Sequence, residues 1–386
     1  MRIAMFSWET LHSIHIGGVA SHVTEIAAAL QRRGHELHVF TRPGQGGDGH
    51  ALIDGVWYHY CGHRLDANFV EETLDMCRSF VQSFFQAEDR FGRFDVVHAH
   101  DWLASPAIAW IRHGRPRHCG VLTMHSTEYG RCGNQLWGGA SARIRDIEWA
   151  GMYHADRVIA VSGALKGELM WLYGLPHWKC WVIYNGVSVQ KYDGWLNAGE
   201  VKKRYGIGAM DPTVLFCGRM VWQKGPDLLL EAIPGLLRHY PDAKFVFVGD
   251  GHMRWGLEHR ARHLKVAHAA RFLGYRGGQE LIDLYKACDC VCVPSRNEPF
   301  GLIVLEAWAA GKPVVASKSG GPNEIITHDV NGLKIYPTVD SVGWGLGTLF
   351  TNFERARWMG RNGRLTAEQS YTWDRIAETT ERCYQP

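Results

Sequence analysis

Residues 290–311 read CVCVPSRNEPFGLIVLEAWAAG. The opening CVCV is an apolar run of strand length, and the following stretch opens a helix. Pro299 has no N–H to donate and biases Glu298 toward extended backbone, so Glu298 falls in a loop and the helix begins near Phe300 or Gly301. Glu306 then lies about five residues into that helix, roughly 7.5 Å along its axis. One carboxylate stands at a helix mouth and another about a turn and a half inside. Between them are the backbone N–H groups at the positive end of the helix dipole, opened by Gly301. That suits an anion such as a diphosphate, flanked by two acceptors for sugar hydroxyls. The plainer alternative is an amphipathic helix with two surface glutamates, and residues 295–311 alone do not decide between them.

The preceding sequence repeats one pattern, a buried strand, a glycine-bearing loop, then a helix. Residues 212–217 form such a strand, and GRMVWQKG (218–225) follows. Arg219 and Lys224 sit there on either side of a strand-to-helix loop, with Pro226 well placed at a helix start. Two cations so spaced can converge on one anion. Residues 244–248 form the next strand, closed by Gly249, Asp250 and Gly251; without GK[ST] this reads as a tight turn rather than a phosphate loop. Strand 271–273 leads into Gly274, Tyr275 and Arg276.

The first half runs likewise. Strand 2–8 is followed by a loop with Gly17 and Gly18, a helix with Val23, Ile26, Ala27 and Leu30 on one face, and a strand at 37–41. That is a βαβ unit of a doubly wound domain without the G-x-G-x-x-G of dinucleotide binders. Residues 44–49 read as a flexible glycine-rich loop. Strand 94–98 brings His98, His100 and Asp101 to its carboxyl end, the ligand edge of an open α/β sheet. A zinc reading of this string competes with a routine polar strand end, which is preferred. Strand 120–124 ends on HSTEYGR (125–131), where the His125 imidazole, or its backbone carbonyl, is placed to position a hydroxyl; a structural role is the alternative.

At 386 residues the chain suits two domains, with the boundary expected near residue 193 and a last helix over residues 371–386. A formal charge of +3 without a long basic run gives no reason to invoke nucleic acid. The ten cysteines have no zinc spacing, and Cys288, Cys290 and Cys292 read as buried thiols. The start MRIAMFSWE lacks the form of a signal peptide, and no run of about 20 apolar residues occurs. A cytoplasmic protein without a membrane span is expected, with peripheral membrane contact left open.

With Glu298 and Glu306 in an E-x7-E frame and Arg219 and Lys224 in G-R-x4-K-G, the chain resembles the retaining glycosyltransferases of family four over nearly its whole length. The resemblance implies the GT-B fold: an acceptor-side Rossmann-like domain over residues 1–193 with the last helix crossing back to it, and a nucleotide-sugar domain over 194–370. It implies that Arg219 and Lys224 bind the donor diphosphate, that Glu298, Phe300, Gly301, Leu302 and Glu306 hold the donor, and that His125 contacts the donor sugar. It also places Gly17 and Gly18 near the donor phosphates and Gly249, Gly251, Tyr275 and Arg276 near the nucleotide. His100, Asp101, Glu128, Tyr129 and Arg131 fall on the acceptor side. HSTEYGR is most like glycogen synthases of bacterial and archaeal type, implying a hexose, glucose from UDP- or ADP-glucose, moved onto an α-glucan. No cofactor is expected, and with no Asp-x-Asp no metal is expected to be required. Other readings are a transferase using a lipid, phosphosugar or exopolysaccharide acceptor with GDP-mannose or a UDP-sugar, a GT-B nucleotide-sugar 2-epimerase, and a non-catalytic sensor.

Overall fold

The computed structural model describes residues 1–115 and 118–385. The chain forms two compact units, Met1–Asn185 with Trp373–Pro386, and Gly186–Thr372. Pro386, the last residue of the expected final segment, lies outside the described residues.

The first unit contains strands β1 (Arg2–Ser7), β2 (Glu36–Thr41), β3 (Gly49–Ile53), β4 (Val56–Tyr60), β5 (Val96–His100), β6 (Cys119–Met124), β7 (Arg157–Ala160) and β8 (Cys180–Val182). They lie in the order β3-β4-β2-β1-β5-β6-β7-β8. All pairs are parallel except the β3–β4 hairpin. β1, β2 and β5 are buried almost throughout, which is why they read as continuous apolar runs. The final helix, Trp373–Tyr384, packs on Gly18–Arg32 through buried Trp373, Ile376 and Ala377. Ion pairs Arg32–Asp374 (2.6 Å) and Arg33–Glu381 (2.6 Å) flank that contact.

The second unit contains β9 (Thr213–Cys217), β10 (Lys244–Val248), β11 (Ala270–Gly274), β12 (Cys290–Val293), β13 (Val314–Ser317) and β14 (Leu333–Ile335), in the order β11-β10-β9-β12-β13-β14. Every pair is parallel. Its core is built from Val214, Phe216, Phe245, Phe247 and Val315 on the sheet against Leu229, Ile233, Leu346 and Met359. Cys288, Cys290 and Cys292 are free and buried, and burial pushes the Cys288 thiol up to about 12. These are packing residues.

Three expectations change. The units divide at Asn185/Gly186 rather than near residue 193, because the turn Val189–Tyr192 packs into the second unit. There Tyr192 meets Tyr285 edge-on at 6.1 Å, Lys286 Nζ donates to the carbonyls of Asp193 and Gly194 at 2.9 Å, and the Val187 N–H donates to the Tyr371 carbonyl at 2.7 Å. The glycine-rich loop runs into a strand, β3, which pairs with β4 through Gly49–Ile53. The strand expected at 94–98 spans Val96–His100, so His98 and His100 lie within it and Asp101 is the first residue beyond.

Candidate functional site

Each sheet reverses its strand order once around its first strand: β2-β1-β5 in the first unit and β10-β9-β12 in the second. Diverging loops leave a crevice at such a switch point, beyond the carboxyl ends of the strands. Most of the predicted residues lie on loops at the carboxyl edges of these two sheets.

In the second unit the loop after β9 and the loop after β12 are stitched together. The Gln223 carbonyl accepts the Arg296 N–H at 2.8 Å, and the Arg296 guanidinium reaches the Trp222 carbonyl (2.8 Å) and both oxygens of Asp227 (2.9 and 2.6 Å). The result is a bond from Lys224 Nζ to Glu298 Oε2 at 2.7 Å, with Ser295 Oγ donating to the same oxygen at 3.1 Å. Glu298 is 5% exposed, so this is an ion pair at a partly desolvated rim rather than a screened surface contact. Gly301 is left-handed (φ +95°) and caps the helix Leu302–Ala309, whose first-turn N–H groups face the same loop. Gly320 and Gly321 hold that loop from the far side: the Gly321 N–H donates to the Glu298 carbonyl at 3.0 Å, and a Cβ at Gly321 would lie 2.2 Å from the Phe300 oxygen.

Glu306 sits on the helix, half-buried, with Oε2 accepting from the Tyr285 hydroxyl at 2.6 Å; burial raises its carboxyl above the usual range. Arg219 is exposed on the loop after β9. Gly249 and Gly251 have a packing reason of their own. Cβ atoms there would lie 2.0 Å from the Gly218 carbonyl oxygen and 2.5 Å from that of Met220, so they let the loop after β10 lie against the loop carrying Arg219. Tyr275 is exposed after β11, on the side of β10 away from β9, and Arg276 is paired with Glu280 at 2.8 Å. The structure therefore joins Lys224, Glu298 and the helix start, but does not draw Tyr275 or Arg276 into that group.

In the first unit, Gly17 and Gly18 lead into the helix Gly18–Arg32, yet their loop is already occupied. Glu9, 4% exposed, accepts the N–H groups of Ile16 (2.6 Å), Gly17 (2.9 Å) and Ala20 (3.3 Å). A carboxylate of the chain itself thus takes three N–H groups of this loop and helix start. Asp101, at φ +56°, binds the N–H groups of His125 (2.7 Å) and Ser126 (3.4 Å) through Oδ1; burial pushes its carboxyl up to about 6. Asp101 therefore fixes the backbone that carries His125.

Around His125 lies a cluster of imidazoles. His100 Nδ1 stands 3.3 Å from His125 Nε2, and the His22 ring meets His125 edge-on at 4.5 Å. Burial pushes His125 down to about 3 and lowers His22 and His100, which also repel one another when charged. Neutral imidazoles so placed can give and accept hydrogen bonds to a hydroxyl. His98 is different: Nδ1 meets the Tyr384 hydroxyl and Nε2 the Thr123 hydroxyl, both at 2.7 Å, so it is spent inside the fold.

Glu128 and Arg131 are tied inward as well. Arg131 bonds Glu128 (3.2 Å), Ser126 Oγ (2.8 Å) and the fully buried Glu148 (2.7 Å), and Glu148 also accepts the Glu128 N–H and the Tyr173 hydroxyl. Desolvation pushes Glu148 up to about 7 against the pull of Arg131. Tyr129 is half-buried, edge-on to Trp171 at 5.3 Å. Glu9, His22, Glu148, Tyr285 and Ser295 were not singled out in the sequence. For Glu9, His22 and Ser295 the only signal is proximity to a strand end or its following helix; for Glu148 and Tyr285 there is none.

Comparison with known proteins agrees over both units. Residues 16–191 match the model of glycosyltransferase family 4, and residues 198–366 that of the glycosyl transferases group 1. The chain is 35% identical to an uncharacterised glycosyltransferase of Methanocaldococcus jannaschii, across 100% of this chain and 98% of that protein. It is 31% identical to the glycogen synthase of Mycobacterium tuberculosis (100% and 94%) and 32% identical to a D-inositol 3-phosphate glycosyltransferase of Actinosynnema mirum (83% and 80%). The fold matches sucrose-phosphate synthase from Thermosynechococcus elongatus with a TM-score of 0.83 at 22% identity, across 99% and 98% of the two chains. This chain belongs to the group 1, family 4 glycosyltransferases and has their GT-B fold.

Proposed function

We propose that the protein transfers glucose from UDP- or ADP-glucose to a hydroxyl of an α-glucan, with the anomeric configuration retained. The observation that carries this reading is the Lys224–Glu298 pair beside the N-terminus of the helix Leu302–Ala309, at the switch point of the second sheet. An arriving diphosphate competes with Glu298 for Lys224. Lys224, Arg219 and the helix N–H groups then neutralise the leaving phosphate, a task that needs no divalent cation. Glu298, still held by Ser295, turns to the sugar hydroxyls, Glu306 takes the ribose, and His125 holds the sugar. The bond from C1 to the phosphate oxygen breaks while the acceptor oxygen joins C1 on the same face, and the acceptor proton passes to the departing diphosphate. The full-length similarity to a glycogen synthase supports the α-glucan acceptor. The similarity to a D-inositol 3-phosphate glycosyltransferase favours a second reading, a phosphorylated polyol acceptor.

The test is nucleotide release from UDP-, ADP- and GDP-sugars, with EDTA present, with and without maltooligosaccharide, beside Glu298→Gln. Release that requires and lengthens the oligosaccharide and collapses in the variant is the expected result. Release of nucleotide and rearranged free sugar without an acceptor would replace the transferase by an epimerase. Release only with a phosphorylated polyol would select the second reading.

A further inference from the structure

We propose that His22, His100 and His125 form a binding site for a divalent transition-metal ion of the zinc class, and that its occupancy switches the enzyme off. One nitrogen from each ring lies within 4.8 Å of the other two. Three imidazoles so grouped, without a carboxylate among them, suit zinc and its neighbours rather than magnesium or calcium. Tetrahedral zinc with Zn–N near 2.0–2.1 Å sets its nitrogens about 3.3 Å apart, and His100 Nδ1 and His125 Nε2 already stand 3.3 Å apart.

One detail favours a cation over a hydrogen-bonded packing cluster. His22 Nδ1 lies 2.8 Å from Asn185 Oδ1, buried. An amide oxygen only accepts, so Nδ1 carries the proton and the lone pair is on Nε2. That is how an outer-shell partner orients a metal-binding histidine. His100, 1% exposed, turns its Nδ1 toward His125 Nε2. The fully bonded His98, two residues away in the same strand, shows what a purely structural histidine looks like here. His125 is the half-buried member, through which solvent reaches the trio.

The inhibitory consequence rests on the reading of His125 as a sugar contact: an imidazole bound to metal no longer holds a hydroxyl. Metal binding itself does not depend on that reading. The experiment titrates zinc-free, full-length protein with Zn²⁺ by calorimetry, with Zn K-edge X-ray absorption at one equivalent. Expected are one ion per chain and a shell of nitrogen and oxygen near 2.0 Å with imidazole outer scattering. Asn185→Ala weakens binding about 10- to 100-fold, and His22→Asn at least as much, with circular dichroism checking the fold of both. No binding, or a sulfur shell from the cysteines, overturns the site on wild-type protein alone. In the turnover assay, nucleotide release falls with the same midpoint as binding and returns with EDTA; full occupancy with undiminished release overturns the switch. Failure of every donor to react would refute the transferase reading and leave the absorption result to decide the metal.

Discussion

The two units share the order of strands around their first strand and use it with opposite physics. At the switch point of the second sheet, charge is retained: Arg219 is exposed and Lys224 is ion-paired to Glu298 at 2.7 Å. At that of the first, ionisable groups are buried and mostly held neutral: burial lowers His22, His98, His100 and His125 and raises Asp101 and Glu148. A charged rim suits an anion that must arrive and leave, because its cations interact with it before and during departure. A dry cluster of imidazoles suits selection among neutral hydroxyls, where each hydrogen bond is made in low dielectric. The comparison teaches that a shared fold fixes where a site lies and not how it is charged.

Four measurements test this contrast. The largest effect belongs to Glu298→Gln, which should lower turnover about 10²- to 10³-fold while the denaturation midpoint of the second unit moves little, since Gln still accepts from Ser295. A large stability loss with normal turnover would make the rim structural. Next comes Glu148→Ala in the first unit. It strips the half-buried Arg131 of one partner and removes the acceptor of the Glu128 N–H, so stability should fall by about 3 kcal/mol in urea unfolding. An effect under about 1 kcal/mol would show that the network is not dry.

Gly321→Ala ranks third. Its Cβ would meet the Phe300 oxygen at 2.2 Å, and overpacking of this kind costs about 1–3 kcal/mol. Because the same displacement moves the loop of Glu298, KM for the donor should rise together with the loss of stability. Stability lost with KM unchanged would uncouple the loop from the site.

The smallest effect is a pH dependence confined to the first unit. His38 Nδ1 and His59 Nε2 are 3.0 Å apart, and burial lowers both, His59 to about 3. Their folded pKa values lie below the unfolded value near 6.5, so the stability they permit is complete above pH 6.5 and is lost as pH falls. At pH 5.5 His59 should cost about 1 kcal/mol. Urea unfolding of the first unit should weaken from pH 7.5 to 5.5, and His59→Phe, which keeps the stack on Phe40 (4.5 Å), should lessen the loss by about 1 kcal/mol while the other buried histidines keep the remainder. An equal loss in the second unit would remove the contrast.

Much of the fold was legible because parallel strands buried on both faces are uninterrupted apolar runs, as in β1, β10 and β12. β3 was not, since Gly49–Ile53 is an edge hairpin strand, mostly exposed, and carries no such run. The strand at 94–98 was placed two residues early because His98 and His100 look like a polar end. They are inside because Tyr384 and Thr123 satisfy His98 and a second histidine meets His100.

By itself the sequence determined the alternation of strand and helix, the two-fold restart, and the local frames that place Glu298 before a helix, Glu306 within it and Lys224 before Pro226. These depend on dihedral preferences and spacing along the chain. Only the tertiary structure decided which loops meet. It put Glu9 into the Gly17–Gly18 loop, Tyr285 on Glu306, Asn185 behind His22, and His22 beside two histidines from β5 and the end of β6. Strand order brings residues from loops distant in sequence to one edge, and burial then sets their charge; neither is carried by any local stretch of the chain.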